Sequence, residues 1–517
     1  MTAQKLLLAG LVFTIFSCNK TLDKKTNSTV NSTDVELSKE DPRHFSEIGS
    51  IDLGDEGAAE ITAYDPLTKK LFVVNNSGDI NKIDVVDLSN PSLPVYITSI
   101  NVAPFGGLVN SLVSGRGFLA AAIEATDKVS PGKVVVFAAD DYAVIKEIPV
   151  GSLPDMVAVS DDGNYLVTAN EGEPNNYNDA GSIDPVGSVS IITVHDNFSV
   201  VTLDFSSFAS QRKALEAKGF RIYGPNASFA QDIEPEYVAI SPDSKTAWVT
   251  LQENNGIAKV DLDAKKITDI FPLGFKNFNR PRNAFDPSDE DGGYFPATWN
   301  VRGMYEPDGI IALDLDGVPY LFTANEGDTR DYDGFSEEIR VGDDNYVLDP
   351  VAFPDAATLK LNENLGRLTV TNTLGDFDND GDYDAIFVPG ARSFSIWNGL
   401  NGNLLYDCGN EMEVQTSLAG LYDDTRSDNK GVEPEGMEKG RVGGRQLIFV
   451  GMERADAVAV YDITNPPKPV LYQILHSGDA PEGILFVSKQ QSPNNRSLLI
   501  VSSEDDGVVK IFAPESL

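Results

Sequence analysis

The sequence predicts an all-β fold: a single β-propeller of seven or eight four-stranded blades, closed by pairing an N-terminal strand with the last blade. Three observations carry this. First, a phrase recurs five times: Pro, then Asp or Glu, then an apolar strand, then a second strand ending in Glu. It runs Pro154-Asp155 to Glu171, Pro235-Glu236 to Glu253, Pro307-Asp308 to Glu326, Pro434-Glu435 to Glu453 and Pro481-Glu482 to Glu504. A supersecondary unit repeated at tens of residues marks a repeat architecture, and strand-built units mark a propeller. Second, apolar runs of strand length alternate with Gly, Asn, Asp and Pro along the chain. Third, the last unit offers only three strands, while His44 to Leu53 reads as a lone strand ahead of the first unit. Pairing the two removes an exposed sheet edge.

The units follow in order. The first contains Leu71-Phe72-Val73-Val74 and Ile83-Asp84-Val85-Val86, the second Phe118-Leu119-Ala120-Ala121 and Val134-Val135-Val136-Phe137. The third starts at Asp155, the fourth at Glu236 and the fifth at Asp308. The sixth is less regular and holds Ala385-Ile386-Phe387-Val388 and Phe394-Ser395-Ile396-Trp397; the seventh starts at Glu435 and the eighth at Glu482. Irregularity in units five and six leaves seven and eight blades both open. Inserts interrupt the rhythm near 206–232, 275–305 and 329–365; residues 206–218 of the first read as helical, with Gly219 as the stop. Long insertions in a regular repeat usually sit on the functional face.

Residues 1–17 read as a signal segment: Lys5 supplies the positive start, and Leu6 to Phe16 is apolar but too short to span a bilayer. The run ends Ser17-Cys18, which resembles a bacterial lipoprotein signal with Cys18 as the lipidated residue; an ordinary secretory signal is the plain alternative. Residues 18–43 then form a lipidated, solvated tether rich in Thr, Asn, Ser, Lys and Asp, and 44–517 the propeller domain. This places the chain in the bacterial envelope as an outer-membrane lipoprotein, held to membrane only by its lipid; the sequence leaves the periplasmic and external faces both open. The net charge of −39 argues against nucleic acid as a partner and against anionic lipid bound through a basic surface. Cys408 is the only other cysteine, so no disulfide framework holds the mature fold.

In a propeller blade the first strand is innermost and the second runs antiparallel to it. The start of one and the end of the other therefore share a face near the axis. Asp155, Glu171, Glu236, Glu253, Asp308, Glu326, Glu435, Glu453, Glu482 and Glu504 are thus expected to form an acidic ring at one channel mouth. Glu124 could add to it, while Asn75 and Asn76 hold the matching place in the first unit. Carboxylates crowded this closely need compensation. Three outcomes are open: bridging cations, with Ca²⁺ suiting many oxygen ligands; neutralisation by basic residues such as Arg330 and Arg454; or capping of turns by the acids themselves. With only His44, His195 and His476 present, imidazole-based zinc or copper sites are disfavoured.

A second signal lies at Asp376-Phe377-Asp378-Asn379-Asp380-Gly381-Asp382-Tyr383-Asp384. Alternating Asp with Gly at the sixth place wraps oxygen ligands around one hard cation. Phe387 stands where an EF-hand needs Glu, so the spacing instead resembles the hairpin calcium loops of integrin-type propeller blades. The expected side-chain ligands are Asp376, Asp378, Asp380 and Asp384, with Asp382 through its carbonyl; a solvated acidic turn is the plain alternative.

Several segments together resemble the choice-of-anchor I family, over nearly all of 45–517. They are Thr323-Ala324-Asn325-Glu326-Gly327-Asp328, Gly390-Ala391-Arg392-Ser393-Phe394-Ser395-Ile396-Trp397, Gly431-Val432-Glu433-Pro434-Glu435-Gly436, Met304-Tyr305-Glu306-Pro307-Asp308 and Ala480-Pro481-Glu482-Gly483. The resemblance extends to mesenchyme-specific cell-surface glycoproteins and implies varied surface attachment. It also permits an alkaline-phosphatase-like activity. Two main functions follow, with a sugar or polymer lyase as a weaker third reading. One is an envelope-anchored, calcium-binding module that binds a surface ligand or acts as a scaffold. The alternative is a metal-dependent phosphoesterase that uses metals in the ring and Arg330 or Arg392 as the anion clamp. Neither a nucleophile elbow nor a Ser/His/Asp arrangement is evident, so no catalytic residue is assigned.

Overall fold

The computed structural model describes residues 39–78 and 81–517. The expected signal segment, Cys18 and the tether up to residue 38 lie outside these residues. Among them the chain forms a β-propeller of seven four-stranded antiparallel sheets. From inside to outside, the first three blades are Thr62–Asp65, Lys70–Asn75, Lys82–Asp87, Val95–Asn101; Val109–Gly115, Phe118–Ile123, Pro131–Ala138, Val144–Ser152; and Pro154–Val159, Tyr165–Asn170, Ser188–Thr193, Ser199–Asp204. The fourth and fifth are Pro235–Ile240, Thr246–Leu251, Gly256–Asp261, Lys266–Pro272 and Ile310–Leu315, Val318–Asn325, Ser393–Asn398, Leu404–Asp407. The sixth and seventh are Pro434–Val442, Arg445–Met452, Ala457–Asp462, Val470–His476 and Pro481–Val487, Leu498–Ser503, Val508–Ser516, Glu40–Asp52.

The second strands read as unbroken apolar runs because both of their faces are covered. Phe72 and Val74 pack with Leu119, Ala121 and Val135 of the second blade. Leu71 and Val73, on the opposite face, pack with Leu498, Ile500 and Ile511 of the seventh. The same interdigitation joins blades two and three, three and four, four and five, five and six, and six and seven. Seven apolar interfaces therefore close a circle around the axis.

The closure is the expected one, and it is longer. Glu40–Asp52 pairs antiparallel with Val508–Ser516, from Glu40↔Ser516 to Asp52↔Val508. The strand begins four residues before His44, so the solvated tether does not reach residue 43. The cause is Glu40, which is buried and accepts hydrogen bonds from Ser497 N at 2.8 Å and Oγ at 2.9 Å.

The sixth sequence unit is not a blade. Asn325 and Ser393 are register partners, so everything between them hangs from one hairpin of the fifth blade. Ser393–Asn398 is that blade's third strand. Ile386–Val388 instead runs parallel to Val301–Met304, in a small side sheet with Phe275–Asn277. The excursion 326–392 joins the 275–305 insert in an apolar core of its own, including Phe278, Phe285, Tyr346, Leu368 and Val388. Before Gly219, the first insert holds a 3₁₀ turn, Ser206–Gln211, and a short helix, Arg212–Glu216.

Candidate functional site at the channel mouth

The repeated phrase carries a kink. The register of the inner strand slips between Pro154 and Met156, Pro235 and Val238, Pro434 and Met437, and Pro481 and Gly483. Each slip spans the phrase's acid: Asp155, Glu236, Glu435 or Glu482. A bulge leaves a residue unpaired and re-aims its side chain. The residue just before the proline is left-handed in four phrases, with φ of 45° at Leu153, 38° at Glu306, 48° at Glu433 and 54° at Ala480. Backbone held in this sparsely populated region clusters at functional sites. At the other end of the phrase, Gly327 and Gly390 stack so closely that a Cβ on either would meet backbone, which fixes Glu326 at the mouth.

Seven of the ten expected ring acids line a single cavity of about 260 Å³: Asp155, Glu171, Glu236, Asp308, Glu326, Glu435 and Glu482. Glu253 lies behind it, with a carboxylate oxygen within 4.8 Å of those of Glu171 and Glu234. Asp308, Glu326 and Glu435 form a second such triad, and Glu326, Glu433 and Glu453 a third. Glu504 does not line the cavity; Asp505 and Glu56 are its acidic neighbours. Glu124 is also off the cavity, accepting a bond from Leu108 N at 3.3 Å. In the first blade Asn76 donates to Glu60 at 2.7 Å.

Burial dominates the electrostatics. It pushes the Asp155 carboxyl up to about 7. It also lifts Glu171, Glu236, Glu253, Asp308, Glu435 and Glu482 well above the usual carboxylate range, with neighbouring carboxylates adding to the rise. The Oε2 atoms of Glu236, Glu253, Glu435 and Glu482 and Oε1 of Glu234 are buried with no hydrogen-bond partner among the described residues. Turn capping does not account for these oxygens. Basic residues do answer one corner: Lys430 reaches Glu326 at 2.7 Å, Arg454 reaches Glu453 at 2.7 Å, and Arg426 reaches Glu433 at 2.6 Å.

Behind the mouth lies a layer that the repeat reading missed. Glu precedes the proline in three phrases, as Glu234, Glu306 and Glu433, and each recruits a cation from outside its blade. Arg330 bonds Glu234 at 3.2 Å, Arg221 bonds Glu306 at 2.7 Å, and Arg426 bonds Glu433. The legible signal was Glu-Pro-Asp/Glu, an acid on both sides of the proline.

The anion-clamp expectation is corrected here. Arg330 is buried and spends its guanidinium on Asp232 Oδ1 (2.7 Å), the Asp232 carbonyl (2.9 Å) and Glu234. Arg392 is buried over the Phe285 ring and donates to Glu413 (3.2 Å) and to the carbonyls of Asp286, Ser427 and Asn429. Both residues are 2% exposed, their guanidiniums engaged within the protein and away from solvent. Arg330 does not pair with Glu326 either.

In the Asp loop, carboxylate oxygens of Asp376, Asp378 and Asp384 lie within 4.8 Å of one another. Asp376 also accepts bonds from Asn379 N (2.7 Å) and Gly381 N (3.1 Å), and Gly381 takes the turn at φ 98°. Asp380 and Asp382 stay outside the cluster. The strand that follows belongs to the side sheet, so the loop is not a blade hairpin. Of the other expectations, Cys408 is buried and free.

Among the described residues no helix is long and apolar enough to cross a membrane. Across 90% of this chain and 97% of theirs, the fold is similar to hydrazine synthase of Kuenenia stuttgartiensis, at TM-score 0.48 and 12% identity. It is also similar to the Cps50 (Swd1) β-propeller domain of Myceliophteria thermophila, at TM-score 0.45 and 8% identity over 91% of this chain and all of that one. In sequence it is 26% identical over 182 residues to Gigasin-3a of Magallana gigas, covering 29% of this chain and 64% of that protein. It is 27% identical over 299 residues to the mesenchyme-specific cell surface glycoprotein of Strongylocentrotus purpuratus, covering 49% of this chain but only 37% of that protein. Residues 60–466 match the choice-of-anchor I domain, and the chain belongs to the choice-of-anchor I family.

Proposed function

We propose that this protein is an envelope-anchored binding module whose acidic channel mouth carries a divalent cation, calcium first, through which it engages a surface ligand. The carrying observation is the convergence of eight carboxylates, Asp328 and seven of the expected ring acids, on one cavity, with buried oxygens that no donor satisfies. Hard cations with oxygen ligands answer that arrangement, and Ca²⁺ tolerates the flexible geometry. The Asp376–Asp384 loop supplies a separate calcium site in the side sheet, with a structural role. The hydrolytic alternative keeps the metals but lacks the two arginines expected to clamp a phosphoryl group, so binding is the preferred reading. A surface location agrees with the name of the sea-urchin relative, and Cys18 is the proposed anchor.

The test is calcium content after dialysis of a variant in which the loop is disabled, Asp376→Asn with Asp384→Asn. Retention of chelator-removable calcium supports the mouth site; a variant that binds no divalent cation would sink it. Cys18→Ser should move the protein from the membrane fraction to the soluble one.

A further inference from the structure

Of the three triads at and behind the mouth, two differ in what already satisfies them. In the Glu326–Glu433–Glu453 triad, Glu326 has both oxygens engaged. Oε1 takes Lys430 Nζ at 2.7 Å, and Oε2 takes Gln252 Nε2 at 3.2 Å. Lys430 is itself enclosed, with 14% of its side chain exposed, and stands 3.4 Å from Glu433.

The Glu171–Glu234–Glu253 triad is deeper. Glu234 is 1% exposed and Glu253 4%. Glu234 gives Oε2 to Arg330 and keeps Oε1 buried without a partner; Glu253 keeps Oε2 in the same state. Beside them Glu236, 9% exposed, turns its own partnerless Oε2 into the same mouth. A buried carboxylate oxygen without a donor is costly, and one hard cation answers several at once. Arg330, fixed by Asp232, holds Glu234 from behind, as outer partners orient metal ligands.

We infer, building on the cation-carrying mouth proposed above, that the mouth binds one divalent cation on Glu171, Glu234 and Glu253, and that Lys430 fills the Glu326–Glu433–Glu453 triad as a tethered ammonium that excludes a second. Lys430 thus sets the capacity of the site. A mobile ion entering the second triad would have to displace a cation that the chain itself supplies at high local concentration.

Calorimetric titration of the chelator-treated full chain with CaCl₂, on the Asp376→Asn, Asp384→Asn background, decides this. One ion per chain is expected. Glu234→Gln should weaken it at least ten-fold with an unchanged circular-dichroism spectrum, and Lys430→Met should raise the stoichiometry from one to two. Two ions with Lys430 in place, one ion in Lys430→Met, or unchanged affinity in Glu234→Gln would each overturn the inference while leaving a cation-carrying mouth intact. Absence of calcium from the mouth in every variant would overturn both. If Lys430→Met does not fold, Lys430→Arg keeps a tethered cation in its place instead. It should keep the single ion at the same affinity, and a second ion there would count against the assignment.

Discussion

Arg221, from the insert between the third and fourth blades, donates to Glu306 at 2.7 Å across 85 residues of chain, and both side chains are buried. Its other terminal nitrogen is taken by Glu337, from the excursion in the fifth blade. One guanidinium thus ties two insertions to a pre-proline glutamate of the inner ring. Removing one partner of a buried ion pair leaves an uncompensated charge and costs about 3–5 kcal/mol. Arg221→Met is therefore expected to lower the unfolding free energy by about that amount in urea titrations. A loss below about 1 kcal/mol would mean that water reaches the two glutamates.

Stability of the metal-free protein should fall as pH rises from 5 to 8.5. Burial lifts Asp155 to about 7 and Glu60 and Glu453 to about 8, all above their unfolded values. Over that window the folded state holds protons that the unfolded state has released, so the contribution present at low pH is lost through the folded pKa. Saturating calcium should flatten the slope and stabilise more at pH 8.5 than at pH 5. Melting curves with and without chelator check this; a metal-free midpoint that climbs with pH contradicts it.

The Asp loop should act alone. Asp376→Asn with Asp384→Asn should remove one calcium and speed amide exchange in Ile386–Val388, the strand that starts just after it. Exchange in the fifth blade's Val318–Asn325 should not change, because the register pair Asn325↔Ser393 isolates the excursion from the ring. Equal acceleration in both segments would show that the loop braces the whole propeller.

Phe45 is 3% exposed, and its ring meets Phe449 edge-on at 5.5 Å between centroids. Phe45→Ala should cost about 3–5 kcal/mol. It should also promote concentration-dependent association, because loosening the closing strand bares the edge of Val508–Ser516. Sedimentation at several concentrations measures the second effect, and a variant that stays monomeric would argue against it.

The propeller was legible because each blade repeats the same local chemistry: an apolar run, a turn, then another run. The blade count was not, since Phe394-Ser395-Ile396-Trp397 reads as a new unit although it pairs with Val318–Asn325 across the long excursion. Periodicity records which residues form strands, and loop closure over that distance leaves no mark on it. Most of the acidic ring could be read from the Pro-Asp/Glu phrase. Arg330 and Arg392 were misplaced because charge alone does not distinguish a side chain facing solvent from one spent on Asp232 or on backbone carbonyls. Lys430, the cation that matters at Glu326, sits in no repeat at all.

The pairing of Glu40 with Ser516 has a mechanical side. If the chain is held to a surface through residues before 39, any pull arrives first at this end of the ladder. The closing strand is then both the clasp of the ring and its tensile element. Peeling it would open the seventh blade while the interfaces among the other six stay packed, so the fold would yield at its seam before its core felt the load.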